Sequence, residues 1–472
     1  MRKFVFILIT IVLYSCSQED NLTEENITVD FTSSACDFFI RSNALFPDNI
    51  IDIEEGDDLL SIIGGLNPAE EVTLYFKSGV HLVPTIALAN GNLTPYSVLD
   101  FRNFAGIEIV GDGACSEIRQ ADSNDACSVR LIHIKDSKNI KIHNLFLNGN
   151  RDNLCETLPG EQGNNIRIRD SEDILIRNIS SLDANGDALN IGCSDNIIVE
   201  NSFFDSVNRN TLTLGWNGDD ADGIPDLCVS NNIIIRNNTF SNADTQYIDF
   251  EHGDSYKGVQ IINNDFLPRS IFVPTDVNDV NDQYAIAFTN VEQHNSVSNV
   301  LALNTFHGNR LTFISSENIS IRFNDSIGKT RILGNVQNMI FRGNSFKIEP
   351  TQFYADDHIF NQGVLIRKIN SLQETENIQF NNNEFYISNF ERGIEIRNAK
   401  NIQVKNNNIV NVNAVQKPNI NTNVLYGIRL MAEFNDEASA YINGNTFTNW
   451  PDDYTGISTN NSLIDCTGNN CD

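Results

Sequence analysis

Asn232-Ile-Ile-Ile-Arg-Asn-Asn-Thr-Phe240 is a phrase that this chain repeats. It occurs earlier as Asn139-Ile-Lys-Ile-His-Asn-Leu-Phe146, Asp173-Ile-Leu-Ile-Arg-Asn-Ile179 and Asn196-Ile-Ile-Val-Glu-Asn-Ser-Phe203. Later copies begin near Gly258, Ser298, Asn318, Asn338, Asn377, Asn401 and Ser439. The shortest spacings are about 20 to 24 residues, the period of a solenoid. Within each copy apolar and polar residues alternate, which is the period of a strand. Ile, Val and Phe fill the runs, and Asn, which tolerates a left-handed backbone, marks the corners. Stacked Asn side chains can also hydrogen-bond from one coil to the next. A leucine-rich repeat would need a leucine-and-asparagine consensus that is absent. The reading is all-β: a right-handed parallel β-helix of roughly ten to twelve coils.

Outward from the repeats, the chain divides into four stretches. Residues 1–15 read as a signal peptide: Arg2 and Lys3 precede an apolar run, Phe4 to Leu13, that is too short to span a bilayer. The run ends in Leu13-Tyr-Ser-Cys16, which resembles a bacterial lipoprotein signal and implies lipidation at Cys16. The acidic Gln18-Glu-Asp20 after it resembles the surface-export signal of Bacteroidetes lipoproteins. That resemblance places the protein on the cell outer membrane, anchored by its lipid. Residues 16–32 form an acidic tether, 33–102 an N-terminal cap with the first coils, and 103–472 the β-helix body with its C-terminal cap.

The formal net charge is −30, which argues against a nucleic-acid partner because phosphates would be repelled. Of the nine cysteines, Cys16 belongs to the signal. The others are Cys36, Cys115, Cys127, Cys155, Cys193, Cys228, Cys466 and Cys471, an even set suggesting disulfides in an exported protein. Cys193 and Cys228 fall on adjacent coils, and Cys466 and Cys471 are near enough to close a terminal loop. The sequence does not fix the pairing.

The repeats resemble the pectin-lyase-like β-helix superfamily over about residues 100 to 465, and Phe76-Lys-Ser-Gly-Val-His-Leu82 resembles its opening strand and turn. That superfamily includes pectate lyases, polygalacturonases, carrageenases, alginate epimerases and phage tailspikes, so the resemblance implies a fold more than a reaction. Polygalacturonase motifs survive only as Asn185-Gly-Asp187 and His252-Gly253. The acidic pair of iota-carrageenases, spaced as E-x-D, resembles Asp249-x-Glu251 with the residue types exchanged. Tyr247, Asp249 and His252 form a loose version of the cluster in alginate epimerases and lyases.

Successive rungs read Asn165-Ile-Arg-Ile-Arg-Asp170, Ala188-Leu-Asn-Ile-Gly-Cys193, Thr211-Leu-Thr-Leu-Gly-Trp216, Tyr247-Ile-Asp-Phe-Glu-His252 and Tyr284-Ala-Ile-Ala-Phe-Thr289. Taking the second and fourth positions as inward sets Arg167, Arg169, Asn190, Tyr247, Asp249, Glu251 and Tyr284 outward on one face. Asp187, Arg209 and Gln246 stand just before these strands.

Asp249 and Glu251, two residues apart, project together as candidate acid and base, with His252 beside them. Tyr247 and Trp216 offer surfaces for sugar stacking. Arg167, Arg169 and Arg209 would form a basic strip for sulfate or carboxylate groups, with Asp187, Asn190, Gln246 and Tyr284 completing the substrate surface. Each residue also has a plain alternative: solvated carboxylates, a Tyr247–Tyr284 stack, an Arg169–Asp187 ion pair. The acids of the loop opening at Trp216-Asn-Gly-Asp-Asp220 are either solvated or calcium ligands.

The expectation is a monomeric surface glycoside hydrolase acting by inversion on a polysaccharide or oligosaccharide, plant or algal, with anionic glycans among the options, and with no cofactor required. The alternatives are a lyase or epimerase acting on uronate glycans, with Tyr247 or His252 as base, and a glycan-binding protein without turnover.

Overall fold

The structure is a computed structural model. It describes residues 36–87, 93–122, 130–153, 163–215, 228–268, 284–348, 362–369, 373–387, 392–412, 427–432, 438–449, 457–460 and 463–465. The chain divides into two compact units, Met1–Ser33 and Ser34–Asp472, and every described residue lies in the second. The signal peptide, Cys16 and the tether therefore fall outside the description.

The second unit is a right-handed parallel β-helix. Its strands form a 20-stranded, a 14-stranded and a 4-stranded sheet, and nearly every pairing is parallel. Among the described residues the one antiparallel strand pair is Thr85–Ala87 with Leu93–Arg102, near the N-terminal end. The one α-helix among the described residues, Leu59–Gly64, is capped by Asp58, whose carboxylate accepts from Ser61 N–H at 3.2 Å.

Register stacks like upon like. One inward column runs Ile142, Ile176, Val199, Ile235, Ile261, Leu301, Ile321, Phe341, Phe380, Val404, Ile442, all fully buried. Each such side chain contributes about 1.5–3 kcal/mol by leaving water, and it does so only because a neighbouring coil covers it. Phe204, Phe240, Phe266 and Phe306 form a second column, stacked at centroid distances of 5.4, 5.1 and 4.8 Å.

The asparagines do the two jobs their chemistry suits. Asn139, Asn196, Asn232, Asn338, Asn377 and Asn401 turn corners at φ between 49° and 57°. A different set, Asn238, Asn264, Asn304, Asn324, Asn344, Asn383, Asn407 and Asn445, lies inside as an unbroken ladder. Each Nδ2 donates to the next Oδ1 at 2.9–3.0 Å, while the Oδ1 also accepts a main-chain N–H of the preceding coil. The buried polar groups of these corners are thereby satisfied.

Two disulfides join described residues. Cys193–Cys228 links adjacent coils with Cα atoms 4.8 Å apart. Cys36–Cys115 ties the first described residue to the strand Ile107–Gln120. Cys127, Cys155, Cys466 and Cys471 lie outside the described residues.

Candidate functional site

Five neighbouring strands of the 14-stranded sheet carry the candidate residues: Ile166–Arg169, Leu189–Gly192, Leu212–Leu214, Ile248–Phe250 and Tyr284–Thr289. Their inward column is Ile166, Leu189, Leu212, Ile248, Ile286, and their outward column is Arg167, Asn190, Thr213, Asp249, Ala287. The column continues upstream through His133 to Asp100, whose carboxylate meets His133 Nδ1 at 2.7 Å. Corner residues fold over this outer face. Asp187, Arg209 and Asn210 precede their strands, yet their side chains converge on the carboxylates.

Arg209 is the centre of the arrangement. Its guanidinium lies 3.5 Å from Asp187 Oδ2 and donates to Glu251 Oε1, so one cation spans two carboxylates from different coils. Asp187 is fully buried and also accepts from Asn190 Nδ2 at 3.3 Å and Asn210 N–H at 3.2 Å. Burial nonetheless raises the Asp187 carboxyl above its ordinary value, against the pull of Arg209 and these donors.

Asp249 is half-buried and accepts one hydrogen bond, from Asn210 Nδ2 at 3.1 Å. Its carboxyl is pushed up to about 7, first by loss of water and then by the charge of Glu251 and, less strongly, of Asp187. Arg209 and Asn210 oppose the rise without cancelling it. Asp249 on the strand and Glu251 just past its end thus occupy different environments, one starved of donors and one bridged by a cation.

Several expectations need correction. Tyr247 is not a stacking surface: it is fully buried, donates its hydroxyl to Leu267 O at 2.7 Å and packs against Phe240 and Phe266. The strand begins at Ile248, so Tyr247 is a corner residue to which strict alternation does not apply. Asp187 is likewise inaccessible as described and acts on Arg209, not on a ligand. Tyr284 is buried, and its rung is displaced by one residue: a bulge between Tyr284 and Ile286 sets Ile286 inward and Ala287 beside Asp249.

The basic strip also dissolves. Arg169 pairs with Asp170, not Asp187, Arg209 is held by Asp187 and Glu251, and Arg167 is buried. Asn190 is buried as well, and Gln246 is half-buried, its N–H donating to Asn210 Oδ1 at 3.0 Å. His252 sits exposed in the turn after the strand. Trp216 and the acidic loop it opens lie outside the described residues. Among the described residues no three His, Cys, Asp or Glu side chains gather as a metal site.

Residues not singled out from the sequence support the floor. Tyr256 Oη lies 2.7 Å from Leu214 O and 3.1 Å from Glu251 O, tying the ends of two rungs together. Gly215 makes room for it: at φ 110° a Cβ would stand 2.1 Å from Tyr256 Oη and 2.5 Å from Asp254 Oδ2. A glycine ending a strand is a weak signal, and nothing in the sequence pairs it with Tyr256.

No family model and no curated protein matches the sequence. Solved structures do resemble the model. The catalytic domain of a GH87 α-1,3-glucanase in complex with nigerose is 14% identical at TM-score 0.46, over 89% of this chain and 68% of that one. PfbA, a surface adhesin of Streptococcus pneumoniae, is 14% identical at TM-score 0.47, over 74% and 84%. The A-module of the Azotobacter vinelandii mannuronan C-5 epimerase AlgE4 is 14% identical at TM-score 0.35, over 86% and 94%. These three neighbours differ in activity. In fold, the chain is a parallel β-helix.

Proposed function

We propose that this protein is a polysaccharide-active enzyme, a glycoside hydrolase working with inversion, carried on the outer membrane by a lipid on Cys16. The observation that carries the reading is the split between two neighbouring acids, Asp249 and Glu251. Asp249, with its carboxyl near 7, keeps its proton in about half of the molecules at neutral pH, and Glu251 is bridged by Arg209. Asp249 would give its proton to the departing glycosidic oxygen as the bond to the anomeric carbon breaks. Glu251 would take a proton from the water whose oxygen forms the new bond on the opposite face. Two residue steps separate the backbones of the pair by about 6.5–7 Å, and inversion needs the two carboxyl groups far enough apart to admit a water between them.

Arg209 holds Glu251 in place, and Asp187 holds Arg209. A uronate lyase using Tyr247 as base finds no support, because that hydroxyl is buried and already donated.

The test is incubation of residues 17–472 with a panel of plant and algal polysaccharides, reading reducing ends and ultraviolet absorbance together. New reducing ends without absorbance are expected, and Asp249→Asn and Glu251→Gln should each lower the rate by about 10²–10⁴-fold. Undiminished activity in both single variants would sink the assignment. A rise in absorbance would mean elimination instead of hydrolysis.

A further inference from the structure

Asn210 is pinned at both ends of its amide. Oδ1 accepts the main-chain N–H of Gln246 at 3.0 Å and the hydroxyl of Thr245. Nδ2 donates to Thr213 Oγ1 and to Asp249 Oδ2, each at 3.1 Å. A main-chain N–H can only donate, so the atom it meets must be the amide oxygen. The opposite end is then the NH2 group, and Asp249 Oδ2 can only accept from it. Asn210 is buried, so turning the amide over would cost all of these bonds together.

We propose that Asn210 is a positioning residue that assigns the acidic proton of Asp249 to Oδ1 and holds Oδ2 as the carbonyl oxygen. A carboxylic acid has one O–H and one C=O oxygen. The hydroxyl oxygen of an acid is the weaker acceptor of the two, so an N–H donor at 3.1 Å favours the carbonyl at Oδ2 and the proton at Oδ1. Among the described residues no other hydrogen bond reaches Asp249, which leaves Oδ1 for the leaving group. Delivery from a single, fixed oxygen is what a general acid needs for alignment with its target.

This inference rests on the reading of Asp249 as the acid. The charged and titratable groups facing that carboxyl are Glu251 just past the end of its strand, Asp187 and Arg209 from preceding coils, and Tyr256 of the following strand. Ala287, its neighbour on the following rung, is apolar. Asn210 is the one uncharged donor set against this surplus of acids.

The experiment reads the acid directly. The infrared difference between the wild-type protein and Asp249→Asn at pH 5 isolates the C=O stretch of the protonated carboxyl. Its loss on raising the pH gives the titration midpoint. With Asn210 replaced by Leu, close in size but without a donor, the band should move to higher frequency and its midpoint rise by about half a pH unit or more. Asn210→Ala serves as the second background. Thr245→Val, which removes one of the amide's anchors, should move the band less and in the same direction.

The alkaline limb of activity should shift with the midpoint, kcat falling about tenfold while KM changes little. A band at the same frequency with and without Asn210 overturns the inference, whatever happens to the rate. A shifted band in a protein that turns over no polysaccharide upholds the hold of Asn210 on the carboxyl and removes the hydrolase reading instead.

Discussion

Two carboxylate clusters lie on outer faces of this β-helix, and they are built in opposite ways. Near the N-terminal end, Glu108 is fully buried and receives four donors: Lys141 Nζ and Leu45 N–H at 2.6 Å, His143 Nε2 at 2.8 Å and Thr73 Oγ1 at 2.9 Å. Its carboxyl is lowered to about 2, since these donors outweigh the burial that alone would raise it. In the middle coils, Asp249 has one neutral donor and acidic company, and is raised to about 7. Burial acts on both. The supply of donors decides the sign, and with it whether a buried acid holds the fold together or stores a proton for use.

The contrast can be broken most strongly at Glu108. Glu108→Gln leaves Lys141 and His143 without their shared anion and should cost about 3–5 kcal/mol, seen as a lowered denaturation midpoint. The pH profile of stability gives its signature. A carboxyl lowered in the fold adds stability above its ordinary value near 4.5, and that stability drains away as the pH falls toward about 2. The wild-type protein should show this acid limb between those values, and Glu108→Gln should flatten it. An unchanged limb would mean that Glu108 is not the group responsible.

Asp249 should behave with the reverse sign. A carboxyl raised in the fold weakens stability as the pH climbs from about 4 through 7. Asp249→Asn should therefore stabilise the protein above pH 7 by about 1–2 kcal/mol, discounted for partial contact with solvent, and do almost nothing at pH 4. Thermal melts at the two pH values would check this, and equal shifts at both would break the comparison. The smallest effect is expected at Thr73→Val, which removes one donor of four at nearly constant shape. It should cost about 1 kcal/mol and move the acid limb upward toward that of an ordinary glutamate.

The repeated strands were legible because alternation and corner asparagines are local signals, and stacking only multiplies them. The outward placement of Asp249 was legible for the same reason, since alternate side chains of a strand share a face, whereas Glu251 lies just past the strand's end. What failed lay at corners and across long separations. Tyr247 was misjudged because the strand starts one residue later, and the rung of Tyr284 because a bulge is not written in an apolar run. Arg209 reaches Glu251 across 42 positions, a pairing that no spacing rule announces. Glu108, Lys141 and His143 alternate like a solvated face, and only docking of the segment around Leu45 and Phe46 turns them into a closed cluster.

Cys36–Cys115 gives the molecule a particular load path. The bridge spans 79 positions and joins the first described residue to a strand with parallel neighbours on both sides, among them Val72–Phe76, Gly79–Val83 and Lys138–Asn148. Tension applied at the N-terminal end would enter the body at Cys115 and bypass the intervening coil. It would then have to shear long ladders of hydrogen bonds at once, instead of peeling a terminal strand bond by bond. With the bridge reduced, the same pull would first meet single bonds, Phe39 N–H to Asp112 and Leu45 N–H to Glu108, and then the short edge strand Ile50–Ile53.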